Sequence, residues 1–182
     1  MANLAIVRIG APVLRMKCQR IPASELTQEK FRKFLKDMVS TMHHAEGVGL
    51  AANQVGRGLQ AVVLECKSRT RYPAGENVPL QTYLNPRIIE YSKELEEDWE
   101  GCLSIPGYRG LVPRSSRVTF EALNDRGEPV KKTVANFEAR IIQHEVDHLN
   151  GLFYIDRMKD LHSWFHLDEF NRQFGAEVKD RK

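Results

Sequence analysis

The stretch NFEARIIQHEVDHLNG, residues 136–151, places its apolar side chains at a period that only a helix brings together. Phe137, Ile141, His144, Glu145 and His148 share one face, and Ile142, Val146 and Leu149 form a second apolar stripe. Little of the circumference is left for water, so the spacing predicts a central helix wrapped by sheet. Asn136 is the expected N-cap, Glu138 suits the first turn, and Gly151 supplies the stop.

The flanking segments supply the wrapping. Residues 25–45 set Phe31, Phe34, Leu35, Met38 and Met42 at helical spacing, with Gly47 placed to end an outer amphipathic helix. LQAVVLEC (59–66) is short, β-branched and apolar, as a buried strand is, and 67–79 reads as a loop. QTYLNPRIIEY (81–91) and SRVTFEAL (116–123) read as further strands, and NDRGEP turns the second into PVKKTV. Residues 160–174, with Leu161, Trp164, Phe165, Phe170 and Phe174, read as a C-terminal helix. The predicted class is α+β: antiparallel strands packed around a central helix, with an outer helix in the N-terminal half and another at the C-terminal end.

Composition narrows the function classes. The 182 residues fit one domain, 1–182, with a core that needs no disulfides, and no internal repeat or linker divides them. No apolar run reaches the roughly 20 residues of a membrane span, and MANLAIVRIGAPVLR lacks the features of a secretory signal, so the expected compartment is cytoplasmic. The charge of +3 permits attraction to acidic surfaces such as a ribosome, but no nucleic-acid motif accompanies it, so nucleic acid is not the expected substrate. Three scattered cysteines suit thiol or ligand roles better than a disulfide framework, and Cys18 and Cys66 read as small buried hydrophobes.

One helical turn separates His144 from His148, so both imidazoles can bind one ion with Glu145 beside it. Composition alone gives roughly 0.02 chance occurrences of His-Glu-x-x-His in this chain, which favours a real site. His162 and His166 repeat the spacing without the glutamate and read as solvated or packing histidines. A catalytic divalent site takes a third protein ligand and leaves a position for water. Glu169, on a following helix as in zincin-like peptidases, is one candidate; Cys102, beside Gly101 and ahead of Pro106 and Gly107, is the other.

GVGLAANQ (47–54), EGCLS (100–104) and HEVDH (144–148), in that order, together resemble the peptide deformylase family over roughly residues 5–160. The resemblance implies Cys102, His144 and His148 as ligands, Glu145 as catalytic carboxylate, and a nascent peptide that begins with N-formylmethionine as substrate. It implies the Gln54 amide and the Leu103 N–H as oxyanion donors, and a methionine pocket of Val48, Phe137, Ile141 and the stem of Arg140, whose guanidinium is expected to point to water. Gly47 and Gly49, like Gly101, would let backbone approach closely. The order helix, GVGLAA, strand is the reverse of a dinucleotide-binding turn. Asp147, on a buried helix, calls for a cationic partner, and Arg114 is the expected one. The resemblance implies Fe(2+) in the cell, with Zn(2+), Ni(2+) or Co(2+) able to replace it; thiolate with two imidazoles suits zinc equally well. The competing readings are a zincin-like metallopeptidase using His144, His148 and Glu169, and a non-catalytic protein with a closed structural metal site.

Overall fold

The structure, a computed structural model, describes residues 2–67 and 77–180, with side chains as far as Phe174. Helix α1 (Ala23–Leu26) is a single turn ahead of α2 (Glu29–His44); strands β1 (Gly49–Ala51), β2 (Ala61–Cys66) and β3 (Val78–Tyr91) follow. Next come β4 (Leu95–Cys102), β5 (Ile105–Ser115), β6 (Arg117–Leu123), β7 (Pro129–Ala135) and α3 (Asn136–Leu149), and the chain closes with β8 (Trp164–His166) and α4 (Leu167–Asp180). Five strands form an antiparallel sheet in the order β1-β2-β3-β6-β7, and three form a second in the order β4-β5-β8.

Alternation along β2 explains why its sequence is apolar throughout. Val62 and Leu64 pack with Tyr83, Phe120, Ile142 and Val146 under α3. Ala61 and Val63 face the other way, onto Phe31, Leu35, Met38 and Met42 of α2. A strand buried on both faces has no polar positions to offer. Helix α3 touches five strands of the first sheet and β5 of the second, and of its fourteen residues Ala139 to Leu149 are buried apart from half-buried His144. The expected α+β class and the central helix are therefore what the chain adopts.

Several boundaries differ from expectation for local reasons. Helix α2 stops at His44, and Glu46, not Gly47, takes the left-handed backbone with φ 52°. Gly47 is needed for another reason, since a Cβ there would lie 2.8 Å from the Leu103 side chain. Asn136 is the first residue of α3 with φ 53° and donates its N–H to Ser116, while Ala135 ahead of it caps with no side chain. The segment expected as a loop at 67–79 lies mostly outside the described residues; Val78 already belongs to β3.

Two larger corrections bear on the site. WEGCLSIPGYRG, read as a loop, is the tip of the β4–β5 hairpin, with Trp99 opposite Leu111 and Cys102 opposite Ile105. Two prolines and two glycines hide β5 from a propensity reading, yet Pro106 and Pro113 lie outside Tyr108–Gly110, where β8 pairs, so neither position needs an N–H for that neighbour. The C-terminal helix begins at Leu167, not at 160. Trp164 and Phe165 point to opposite sides of β8, one onto Tyr108 and the other onto Trp99, which a helix could not do. No helix among the described residues is long and apolar enough to cross a membrane.

Candidate active site

Helix α3 delivers His144 and His148 from its third and fourth turns, and the β4–β5 hairpin delivers Cys102 from its tip. The Nε2 atoms of the two histidines are 3.2 Å apart, and the Cys102 Sγ is 3.2 Å from the Nε2 of His148. Ligand atoms of all three residues lie within 4.8 Å of one another. Zinc held by nitrogen at about 2.0–2.1 Å in a tetrahedron would keep two such nitrogens about 3.3 Å apart, so the donor set has the right scale for one ion. Glu169 is exposed on α4, bound to Arg172, and is not among these donors, which removes it as third ligand.

The electrostatics also ask for a cation. Burial drives His148 well below its ordinary value, towards the neutral form that binds metal. Burial pushes His144 the same way, but Cys102 and Glu100 outweigh it and raise its proton affinity, so positive charge is favoured at that point. The Cys102 sulfur accepts N–H groups from Ser104, at 3.4 Å, and from the Gln54 side chain, at 3.5 Å, as a thiolate ligand would.

Around these donors stands a buried polar frame of which the residue pattern discloses only the Arg114–Asp147 pair. Glu100 binds His144 Nδ1 at 2.8 Å, which turns Nε2 towards the other ligands. Arg114 grips the Glu100 carboxylate with two hydrogen bonds and also donates to Asp147, the expected pairing, while Arg157 donates to Asp147 from the outer side. Burial raises the Glu100 carboxyl, but Arg114 and His144 overcome this and hold it well below the usual carboxylate range. Arg140 corrects the sequence reading. Its guanidinium is turned inward and buried; it donates to Glu100 and to the carbonyls of Val112 and Glu96. Enclosed by β4 and β5, an arginine there is held by the acceptors that surround it. A carboxylate behind a ligand histidine is a general rule, but nothing in the local pattern singles out Glu100 among its acidic neighbours.

The cavity beside the donors has a volume of about 330 Å³. Val48, Gly49, Gly101, Leu103, Phe137, Arg140 and Ile141 line it with Gln54, Glu145, Cys102 and His144, so the sequence-derived candidates meet in one place. Trp99, Tyr108, Arg109 and Leu167 line it too and were not foreseen. Glu145 is buried, its Oε2 has no hydrogen-bond partner among the described residues, and burial pushes its carboxyl up to about 7. A cation bound alongside would pull that value down again. Gly49 has an internal cause: a Cβ there would lie 2.2 Å from the Glu145 Oε1. Gln54 takes the Ala51 N–H on its Oε1 at 2.9 Å, which fixes the amide so that Nε2 faces Cys102 and the Ser104 hydroxyl.

Comparison with known proteins agrees with this geometry. Residues 3–164 match the family described as Polypeptide deformylase. Peptide deformylase 1 of Nitrosomonas europaea is 40% identical over 163 residues, which cover 90% of this chain and 92% of that protein. The class I type b peptide deformylase of Acinetobacter baumannii, solved with Met-Ala-Ser bound, superposes with a TM-score of 0.84 at 34% identity over 86% of this chain and 99% of that one. A peptide deformylase from Synechococcus elongatus in complex with actinonin gives 0.79 at 31% identity, covering 98% of this chain and 90% of that one. With the motifs, the fold and the Cys-His-His cluster in agreement with these relatives, the chain belongs to the polypeptide deformylase family.

Proposed function

We propose that the protein removes the formyl group from N-formylmethionine at the start of nascent polypeptides, releasing formate and a free amino terminus. The observation that carries this reading is the convergence of Cys102, His144 and His148 beside the buried Glu145 carboxylate, whose Oε2 has no partner among the described residues, in a half-apolar cavity. The Met-Ala-Ser peptide on the Acinetobacter relative supports it, being what deformylation of a formylated peptide leaves.

A divalent ion held by the three donors supplies a Lewis acid for the formyl carbonyl and lowers the pKa of water. The remaining chemistry belongs to the chain. Glu145 accepts a proton from the attacking water and returns it to the departing amine, so that formamide plus water gives formate plus ammonium. As the carbonyl carbon becomes tetrahedral, its oxygen gains charge, and Gln54 Nε2 with the Leu103 N–H are the proposed donors to it. Val48, Phe137 and Ile141 offer apolar surface to the methionine side chain. Glu100 and Arg140 hold the wall behind His144 in place. Substrates of this kind arise during translation, so the proposed setting is the cytoplasm near ribosomes.

Gln54→Glu separates the proposed oxyanion role from the capping role, because a carboxylate can still accept the Ala51 N–H while offering no donor. We expect the turnover rate to fall by about 10²–10³-fold, with metal content and thermal stability near wild type. A stable variant of normal activity would remove Gln54 from the mechanism.

For the ion we propose Fe(2+) in the cell. Divalent-metal affinities rise from iron towards nickel and copper, with zinc above iron, so aerobic purification is expected to leave zinc in the site. Stripping the protein should abolish formate release, and anaerobic loading with Fe(2+), Ni(2+) or Co(2+) should restore it. Air should then inactivate the iron form fastest, through oxidation of the ion or of Cys102. Equal activity and equal air stability of the iron and zinc forms would contradict the preference for iron.

A further inference from the structure

Residues 7–9 belong to no strand, yet each of them donates a hydrogen bond to the loops that surround Cys102. The Val7 N–H donates to the Gln54 carbonyl at 2.8 Å, and the Ile9 N–H donates to the Ser104 carbonyl at 2.9 Å. Between them the Arg8 guanidinium donates to the Leu103 carbonyl at 2.6 Å. Gln54 and Ser104 are the two residues whose N–H groups reach the Cys102 sulfur, so one short segment grips both. That segment is itself anchored. The N–H groups of Ala2 and Leu4 donate to Asp37 and Thr41 of α2, and the Val7 side chain packs against the cluster of Cys102, Ile105, Val112 and Phe153.

Arg8 differs from its two neighbours by bringing a charge. It makes no ion pair among the described residues, and the Leu103 carbonyl is its acceptor. The peptide group that carries this carbonyl also carries the Ser104 N–H. It is trans, so the two point in opposite directions. On the far side the N–H ends 3.4 Å from the Cys102 Sγ. A cation at the carbonyl oxygen draws electron density out of the amide and makes its N–H a stronger donor, as in any chain of hydrogen bonds with a charge at its head. Ser104 is 0% exposed, so water does not compete for that N–H.

We propose that Arg8 is a positioning residue of the metal centre, acting through the Leu103–Ser104 peptide to strengthen the hydrogen bond on the Cys102 sulfur. The proposal rests on the reading of Cys102, His144 and His148 as ligands of a hydrolytic ion. A thiolate that accepts a strong hydrogen bond gives less electron density to an ion beside it, which leaves that ion the better Lewis acid. Arg8 touches none of the ligands. Its influence travels through one peptide group, whose plane and polarity it fixes from the rim of the cavity.

The test loads the unaltered protein, Arg8→Met and Arg8→Lys with Co(2+), whose near-ultraviolet sulfur-to-cobalt charge-transfer band reports on the thiolate. Methionine keeps an unbranched chain but removes the donor and the charge; lysine returns both. Weakening the hydrogen bond raises the energy of the sulfur lone pairs, so Arg8→Met should move the band to longer wavelength. It should also lower kcat for formate release from a formyl-Met peptide by about tenfold, with KM near that of the unaltered protein. Arg8→Lys should keep the band in place and most of the rate. An unmoved band in Arg8→Met would overturn the proposal, whatever the rate does, and so would an equal shift in Arg8→Lys. Absence of the band from the unaltered protein would remove Cys102 as a ligand, and the proposal with it. A normal band without formate release would overturn deformylation instead, and the shift between variants would still decide the role of Arg8.

Discussion

Glu145→Gln is expected to lower the rate of formate release by about 10²–10⁴-fold while one ion per chain is retained. The substitution keeps the size and shape of the side chain, so the tight approach to Gly49 survives and the ligands stay where they are. What it removes is the carboxylate that lines the cavity beside the ligands and can take a proton there and give it back. The present carboxylate is poised for that exchange. It is buried, its Oε2 is unpartnered among the described residues, and burial, the largest influence on it and only partly offset by His144 and Arg114, pushes its carboxyl up to about 7. Metal analysis beside a single-turnover assay checks the prediction. Retention of more than a tenth of wild-type activity would mean that another group moves the proton.

Arg114→Leu should have the largest effect on stability. Arg114 is 5% exposed and joins Glu100 of β4 to Asp147 of α3. Leucine would fill part of the space but leave two buried carboxylates short of a partner, and breaking a buried ion pair from one side costs about 3–5 kcal/mol. Glu100 would keep Arg140 and His144, and Asp147 would keep Arg157, so the chain should still fold at reduced temperature. Metal affinity should fall as well, by about 10–100-fold, because Glu100 orients His144. Urea unfolding and competition with a chelator measure the two effects. Unchanged stability would show that the remaining partners suffice and that the frame does not depend on Arg114.

Much of this is legible in the sequence, and the reasons differ by residue. The helix carrying His144 and His148 announces itself because burial on nearly all sides forces an apolar pattern, and the ligand spacing matches one helical turn. Strands β2 and β6 show themselves through burial on their faces. The β4–β5 hairpin does not, because β4 carries Glu96, Glu97 and Asp98 on exposed or half-buried positions and β5 carries prolines where β8 does not pair. Strand β8 is three residues long, and its Trp164 and Phe165 fit a helical period as well as a strand. Arg140 lines the cavity as the pattern suggests, but its guanidinium turns inward because, besides Glu100, it is held by the carbonyls of Glu96 and Val112, which no side-chain pattern records. Glu100 was invisible for a related reason: its role depends on which residue stands opposite it across forty-four positions of chain.

The most direct measurement follows one metal-loaded sample with two readouts, formate released and free α-amino groups formed, on a formyl-Met peptide and on its acetylated counterpart. The expected result is one formate for each new amino group from the formylated peptide, no cleavage of internal peptide bonds, and no reaction of the acetylated one. Release of amino groups without formate, or equal reaction of both peptides, would contradict deformylation as the activity of this site.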